Sequence, residues 1–92
     1  MKSFKDKIAV ITGAGSGIGQ ALSLELAKKG AVLILSDKNA EGLADTESKV
    51  KTIGADCYTY SVDVSNEKAI KDFVKTVLKE HRHIDLLFNN AG

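Results

Sequence analysis

The sequence predicts an α/β fold in which four parallel strands alternate with three helices. A glycine-rich turn at residues 12–19 follows a short apolar strand and opens into an amphipathic segment, as expected where a strand turns into a helix through glycine. Residues 31–35 are continuously apolar, which is typical of a central parallel strand covered on both faces. The connections are short and the chain has no proline, so right-handed crossovers predict the strand order 3-2-1-4.

The first half of the chain predicts a strand, a helix and a second strand. Strand one covers residues 8–11. Helix one runs from the glycine turn to Lys29, because lysines occupy its last turn and Gly30 stands just past its end. Strand two begins with the apolar residues 31–35 and ends at Ser36 and Asp37. The apolar residues expected on the inner face of helix one are Ile18, Ala21, Leu22 and Leu26.

The second half predicts two further helices and two strands. Asn39 is placed to cap helix two and Gly54 to end it. Strand three covers residues 57–62, Ser65 caps helix three, and strand four covers residues 84–88. After strand four the fold is expected to be truncated, with its ligand crevice between strands one and four. The predicted inner faces are Leu43, Thr46, Val50 and Ile53 in helix two and Ile70, Phe73, Val74, Val77 and Leu78 in helix three.

Composition limits the class of protein. The 92 residues suffice for one domain, and 43% hydrophobic against 27% charged residues is the balance of a folded protein with a core. A net charge of +1 provides no basic field, so nucleic acid is not expected as a partner. A single cysteine and a start without the apolar run of a signal peptide predict a cytoplasmic protein. No segment reaches the roughly 20 apolar residues of a membrane span.

The glycine turn has the chemistry of a diphosphate site. Gly13 lets the chain turn sharply, Gly17 lets the backbone approach phosphate groups without a Cβ in the way, and Gly19 lets the helix pack on its strand. The unpaired N–H groups at the helix N-terminus attract negative charge. We therefore assign these glycines to a cofactor site, together with Ser16 and Ile18 between them.

The spacing distinguishes this turn from two other phosphate motifs. A nucleoside-triphosphatase loop and the G-x-G-x-x-G pattern, counted from Gly13, both need glycine where Ile18 stands. The sequence fits T-G-x-x-x-G-x-G instead, and in this it resembles the short-chain dehydrogenase/reductase family, of the ordinary-length rather than the extended kind. The resemblance implies a Rossmann-type sheet and an oxidoreductase that moves hydride between a nicotinamide cofactor and an alcohol or ketone.

Three further motifs resemble those of the family in order and spacing. Asp37 stands eighteen positions after the last glycine of the turn and resembles the acid that accepts hydrogen bonds from the adenosine ribose. Asp63 and Val64 resemble the pair that holds the adenine ring. Residues 89–92 read Asn-Asn-Ala-Gly, a signature in which Asn90 borders the cofactor ribose. The resemblance covers essentially the whole chain.

The catalytic residues that the resemblance implies are missing from this stretch. The family's chemistry needs a serine and a Tyr-x-x-x-Lys pair, in which the tyrosinate is the general base. The only tyrosines here are Tyr58 and Tyr60, and the residues four positions further on are Val62 and Val64. We therefore expect the chain to bind its cofactor without catalysing a reaction.

The expected cofactor is NAD, with NADP the less favoured choice. The Asp37 carboxylate would repel a 2′-phosphate about 4 Å away by about 4 kcal/mol, although Lys38 could turn towards such a phosphate. Simpler interpretations stay open for these residues. Asp37 could be a helix-capping acid, Asp63 could begin the turn into helix three, and Asn89 and Asn90 could be purely structural.

Other residues and functions have competing interpretations. His81 and His83 have the spacing of a metal pair, but we predict that both are solvated turn residues, and that Cys57 is a buried structural thiol. A second hypothesis is a self-standing dinucleotide-binding or oligomerising module without chemistry. A third, a methyltransferase, is disfavoured because its ligand has no phosphate. Strand four should leave one backbone edge open, so we predict homo-oligomers through that edge.

Overall fold

The computed structural model describes residues 4–15, 17–63 and 66–90. Within these residues strands and helices alternate in the predicted order. The strands are β1 (Ile8–Thr12), β2 (Val32–Asp37), β3 (Cys57–Ser61) and β4 (Leu86–Asn89), and the helices are α1 (Gly17–Lys28), α2 (Ala40–Ile53) and α3 (Glu67–His81).

The four strands form one parallel sheet in the order β3-β2-β1-β4, which confirms the predicted topology. At the end of β1, Thr12 pairs with Ser36 of β2 and with Asn89 of β4. At the end of β2, Asp37 pairs with Ser61 of β3. The carboxyl ends of all four strands therefore meet at one edge of the sheet, and the winding direction reverses between β1 and β4.

Helices cover both faces of the sheet. One core includes Leu33 and Leu35 of β2 with residues of α1 and α2, and the other includes Val10 and Ile34 with residues of α3. Every residue of β1 is buried. Burial on both faces explains why β1 and β2 are continuously apolar, since a half-exposed strand would alternate polar and apolar residues.

The inner face of α1 differs from the prediction. Ile18 is 76% exposed and Ala21 is also exposed, while Leu22 is half-buried. The Ser23 hydroxyl is satisfied within the helix, because it donates to the Gly19 carbonyl at 2.7 Å. Small residues on this face let α1 lie close to the glycine turn. The apolar pattern therefore predicted Leu26 correctly but missed the small residues that are buried beside it. The buried residues of α1 are Gly19, Ser23, Leu26 and Ala27.

The ends of α2 agree with the prediction, and the start of α3 does not. Asn39 caps α2 by accepting the Gly42 N–H at 3.1 Å, and Gly54 ends it with a φ of +100°. The cap of α3 is Asn66, whose side chain accepts a backbone N–H of the first turn at 3.2 Å. The predicted cap, Ser65, lies outside the described residues. Asparagine and serine are comparable caps, so the sequence pattern alone could not decide which of the two adjacent residues caps the helix.

The predicted stripes of α2 and α3 are only partly buried. Ile53 is 39% exposed and Leu78 is 43% exposed, because each lies at the margin of its helix's inner face. The residues of these two helices that are buried are Leu43, Thr46, Val50, Phe73 and Val77.

The boundaries of β3 and β4 also shift. Strand β3 ends at Ser61, one residue earlier than predicted, and β4 begins at Leu86, two residues later. The delay in β4 has a cause in Asp85. Its Oδ2 accepts the Ile8 N–H at 2.8 Å, while its own N–H donates to the Ile8 carbonyl at 2.9 Å. A side-chain oxygen thus takes the acceptor position that a strand backbone would supply.

Candidate functional site

The glycine turn lies between the end of β1 and the start of α1. Gly13 has a φ of +64° and Gly17 a φ of +57°, so both occupy the left-handed region that L side chains rarely adopt. Two such residues on either side of a short loop reverse the chain direction from strand into helix. The conformational role predicted for Gly13 is therefore present in the structure.

Gly19 and Gly17 have opposite surroundings. A Cβ added at Gly19 would lie 2.0 Å from the Gly13 carbonyl oxygen, so the first turn of α1 packs directly on the loop that precedes it. A Cβ added at Gly17 would meet no atom of the described residues within 4 Å. Ile18 is exposed beside it, and Ser16 lies outside the described residues. Gly19 is thus packed against the backbone of the turn, whereas Gly17 faces open space among the described residues.

Asp37 is fixed against the glycine turn. Its Oδ2 accepts the Gly15 N–H at 2.8 Å and its Oδ1 accepts the Asn39 N–H at 2.9 Å. The helix cap itself is Asn39, so Asp37 supports the segment before α2 without being the cap. Each carboxylate oxygen has more than one acceptor direction, which leaves capacity for further donors at the edge of the sheet.

The end of β4 is tied to the same turn. The Thr12 hydroxyl donates to Asn89 Oδ1 at 2.8 Å and accepts the Asn90 N–H at 3.0 Å. The Asn90 side-chain Nδ2 donates to the Gly13 carbonyl at 3.5 Å. These two asparagines therefore do make the structural contacts considered from the sequence, and they place Asn90 beside the glycine turn, at the crevice between β1 and β4.

Asp63 lies just beyond β3 and begins the turn into α3, since its carbonyl accepts the Asn66 N–H at 3.1 Å. The end of β3 is also joined to β2, because the Val62 N–H donates to the Asp37 carbonyl at 3.2 Å. Asp63 is exposed at the same edge of the sheet as Asp37. Val64, its predicted partner, lies outside the described residues.

A second concavity lies between β3 and α3. This β3–α3 groove is open, has a volume of about 590 Å³, and includes Ser61, Asp63, Asp72 and Phe73 in its lining. Apart from Asp63, none of the predicted site residues that the structure describes lines it.

The histidines separate into two environments. The His81 side chain is 12% exposed and its ring packs on Tyr58, with ring centroids 4.7 Å apart, so the prediction of a solvated turn residue was wrong for it. His83 is exposed and lies 3.1 Å from Asp85 Oδ2. Within residues 4–15, 17–63 and 66–90, no group of three His, Cys, Asp or Glu side chains could hold a metal ion.

Two further titratable groups are held in their neutral forms. Burial, followed by the nearby Glu47, raises the pKa of the Cys57 thiol to about 11. Burial and the hydrogen bond to Glu80 raise the pKa of Tyr60 to about 12, and the Tyr60 hydroxyl lies 2.7 Å from Glu80 Oε2. A phenol held neutral in this way does not supply a base near pH 7.

The sequence reasoning missed the contacts that α2 makes with the glycine turn. Thr46 donates to the Ala14 carbonyl and Gly42 packs on Gly15, while Gln20 of α1 donates to the Thr46 hydroxyl. A signal was present in the sequence, because a glycine inside a helix is unfavourable and often marks a close approach of two backbones. The apolar pattern of α2 predicts Thr46 on the inner face of the helix but does not predict a partner for its hydroxyl.

The short-chain dehydrogenase family model matches residues 7–92 of the chain. The chain therefore belongs to the short-chain dehydrogenase family, a family of oxidoreductases. The matched range includes the glycine turn, Asp37 and the asparagines at the end of β4, which the fold brings to one edge of the sheet. No helix of the described part of the chain is long and apolar enough to cross a membrane.

Known relatives match the chain over nearly its full extent. A protein of Mycobacterium tuberculosis described as an oxidoreductase, SadH, is 42% identical over 92 residues, which is 100% of this chain and 33% of the relative. The crystal structure of NAD⁺-bound xylitol dehydrogenase superimposes with a TM-score of 0.93 at 41% identity, covering 99% of this chain and 35% of that one.

A metagenomic short-chain oxidoreductase in complex with NADP superimposes with a TM-score of 0.92 at 35% identity, covering 98% of this chain and 41% of that one. The chain thus spans a third or less of the length of the curated relatives that it matches. Structural neighbours hold NAD or NADP, so a nicotinamide dinucleotide is the cofactor class of the family members that this chain resembles.

Proposed function

We propose that this chain is the nicotinamide-dinucleotide-binding portion of a short-chain dehydrogenase, and that the whole protein transfers hydride between the cofactor and an alcohol or ketone. The observation that carries the proposal is Gly17. Its φ of +57° requires glycine, yet its Cβ position meets no described atom within 4 Å. A glycine of this kind fits a backbone that a ligand approaches closely.

The residues present fit the adenosine diphosphate half of such a cofactor. The N-terminal N–H groups of α1 have no partners within the helix and carry partial positive charge, which favours a diphosphate. Asp37, held at the adjoining strand end, would accept the ribose hydroxyls. When bound, the nicotinamide ring takes up or releases the hydride, while this chain binds and orients the cofactor. The proposed site comprises Gly13, Ser16, Gly17, Ile18, Gly19, Asp37, Asp63, Val64 and Asn90.

The fixed carboxylate supports NAD over NADP. Asp37 is held by two backbone N–H groups, so it cannot swing away from a 2′-phosphate without losing both hydrogen bonds. At an effective dielectric constant near 20, a charge pair about 4 Å apart costs about 4 kcal/mol. Lys38 is exposed beside it and would offset part of that cost by turning inward.

This stretch is proposed to bind its cofactor without catalysing the reaction. Neither Tyr58 nor Tyr60 is followed by lysine four positions on, and the pKa of Tyr60 is raised to about 12 by burial and by Glu80. Both effects oppose a tyrosinate base at neutral pH. The proton transfer of the whole protein would depend on residues outside residues 1–92.

The test is a calorimetric titration of the protein with NAD and with NADP, comparing wild type with Asp37→Asn. Asparagine keeps the size of the side chain and removes its charge. We expect wild type to bind NAD more tightly than NADP, and Asp37→Asn to lose NAD affinity while the penalty against NADP shrinks.

Asp56→Asn is the matched control, because it removes an exposed carboxylate just before β3, at the opposite end of the sheet from Asp37. That variant should bind both cofactors as wild type does. Equal affinities of wild type for NAD and NADP, or an Asp37→Asn variant that binds NAD more tightly, would contradict the assigned role of Asp37.

We further propose that the protein is cytoplasmic and that residues 1–92, taken alone, assemble with copies of themselves through β4. The single cysteine of these 92 residues is free, which fits a reducing compartment. Among the described residues β4 pairs with β1 alone, and Leu87 in its middle is 58% exposed. An open strand edge with exposed apolar side chains recruits another chain.

A further inference from the structure

Helix α2 touches the glycine turn backbone to backbone. A Cβ added at Gly42 would lie 2.6 Å from the Gly15 carbonyl oxygen, and a Cβ added at Gly15 would lie 3.0 Å from the Gly42 carbonyl carbon. Any side chain at either position would force the two segments apart. Gly42 lies in the first turn of α2, and the absence of side chains at both positions allows this close approach.

One helical turn beyond Gly42, Thr46 makes a hydrogen bond to the same turn. Thr46 is completely buried, and its hydroxyl donates to the Ala14 carbonyl at 2.7 Å across 32 residues of sequence. The same oxygen accepts from Gln20 Nε2 at 2.8 Å. A hydroxyl has one proton, so the Gly42 carbonyl at 3.2 Å is the weaker competitor for it.

These contacts complete the anchoring of the turn. The Ala14 N–H donates to the Ser36 carbonyl at 3.0 Å, and the Ala14 carbonyl accepts from Thr46. The Gly15 N–H donates to Asp37. The polar backbone groups on this side of the turn are thus held by β2 and α2. Gly17, at the other end of the turn, faces open space among the described residues.

We infer that Thr46 is a positioning residue for diphosphate binding, which it supports by holding the Ala14 carbonyl so that the glycine turn keeps its binding shape. The inference rests on the proposed dinucleotide function. It adds a buried side chain on α2, far from the glycine motif in sequence, to the determinants of cofactor affinity. Gly42 acts with it, because its lack of a side chain lets Thr46 come within hydrogen-bond distance.

The test uses Thr46→Val and Thr46→Ser in the protein as it occurs naturally. Valine keeps the shape of threonine but cannot donate to Ala14, whereas serine keeps the hydroxyl. The matched control is Thr52→Val on the same helix, since the Thr52 hydroxyl is exposed and bonds only within α2, to the Ser48 carbonyl at 2.9 Å. Dissociation constants are measured for NAD, ADP and adenosine, together with the melting temperature without ligand.

Loss of the hydrogen bond in Thr46→Val should weaken NAD and ADP binding about tenfold, from the typical worth of one buried hydrogen bond. Adenosine has no diphosphate, so its affinity should not change. Thr46→Ser should restore most of the NAD and ADP affinity, and Thr52→Val should match wild type.

Three results would overturn the inference. Wild-type ADP affinity in Thr46→Val would show that the hydroxyl does not position the turn. Equal weakening of adenosine and ADP binding in Thr46→Val would show that Thr46 supports the fold in general and not the diphosphate site in particular. Failure of the wild-type protein to bind any of the ligands would overturn the proposed function as well, which separates the two conclusions. Should Thr46→Val not fold, Gly42→Ala decides. Its Cβ would push α2 away from the Gly15 carbonyl, which would draw Thr46 away from Ala14, so ADP binding should again weaken selectively. Unchanged ADP affinity in Gly42→Ala would overturn the inference.

Discussion

Gly17 and Gly19 stand two residues apart at the start of α1, and adding one methyl group should harm a different property at each. At Gly19 the new Cβ would lie 2.0 Å from the Gly13 carbonyl oxygen, a backbone atom, so helix and turn must separate by at least about 1 Å. Overpacking of this kind costs about 1 to 3 kcal/mol. We expect a cost at the upper end of this range, because the two nearest atoms belong to the Gly13 backbone and cannot move aside as a flexible side chain would.

At Gly17 the new Cβ would meet no described atom within 4 Å, so the cost in stability is that of the left-handed backbone alone, about 1 to 2 kcal/mol. For a chain of this length each kcal/mol lowers the melting temperature by about 4 to 8 °C. Gly19→Ala should therefore melt well below Gly17→Ala. Gly17→Ala should nevertheless lose more than about tenfold in NAD affinity, because its methyl group enters the space assigned to the diphosphate.

Thermal melting and NAD titration of the two variants separate these effects. Gly54→Ala is the control for Gly17→Ala, since Gly54 also has a positive φ, of +100°, and no described atom within 4 Å of its Cβ position. It should lose a similar amount of stability and bind NAD normally. The reasoning would be refuted by a Gly17→Ala variant with wild-type NAD affinity, or by a Gly19→Ala variant that is as stable as Gly17→Ala.

Three other predictions concern stability, reactivity and assembly. The Ile8 N–H holds the pKa of Asp85 below its ordinary value of 3.8, so the ionised carboxylate stabilises the fold above that pH, and this stabilisation is lost as the pH falls below it. In urea unfolding, Asp85→Asn should therefore lose less free energy of unfolding between pH 7 and pH 3 than wild type does. An equal loss in the variant and in wild type would contradict the assignment. The pKa of Cys57 is raised from 9.0 to about 11, so at pH 8 the native protein has about a hundredfold less thiolate than an unshifted cysteine would have. Iodoacetamide should therefore react slowly with the native protein and quickly in denaturant. Equal rates would disprove the burial of the thiol. Light scattering of residues 1–92 at micromolar concentration should show dimers or larger assemblies that Leu87→Lys, in the edge strand β4, reduces to monomers. An unsubstituted 92-residue chain that is monomeric would count against assembly through β4.

The strand order and the placement of the glycine turn could be predicted because both follow from local patterns. A continuously apolar β2, a glycine run after β1 and short connections leave few alternative topologies. Asp37 could be placed for the same reason, since it ends a strand whose carboxyl end must face the crevice. The positive φ at Gly13 agrees with the sharp turn expected of that residue.

What the sequence could not predict depends on contacts between distant segments. The buried face of α1 holds Gly19 and Ser23, because close approach to the turn matters more there than apolar area. The start of β4 depends on Asp85 bonding to Ile8, 77 residues away. Thr46 was predicted as a packing residue, and only the fold shows that its hydroxyl reaches the Ala14 carbonyl.

The most direct test of the central claim is a nuclear magnetic resonance titration of isotope-labelled protein with NAD, following backbone amide shifts. The proposed site predicts large shifts for Gly13, Gly17 and Gly19 and none for Gly54, which lies at the far end of α2. The claim would be contradicted if NAD shifted no amides at millimolar concentration, or if the shifts clustered in the β3–α3 groove around Asp72 while the glycine turn stayed unchanged.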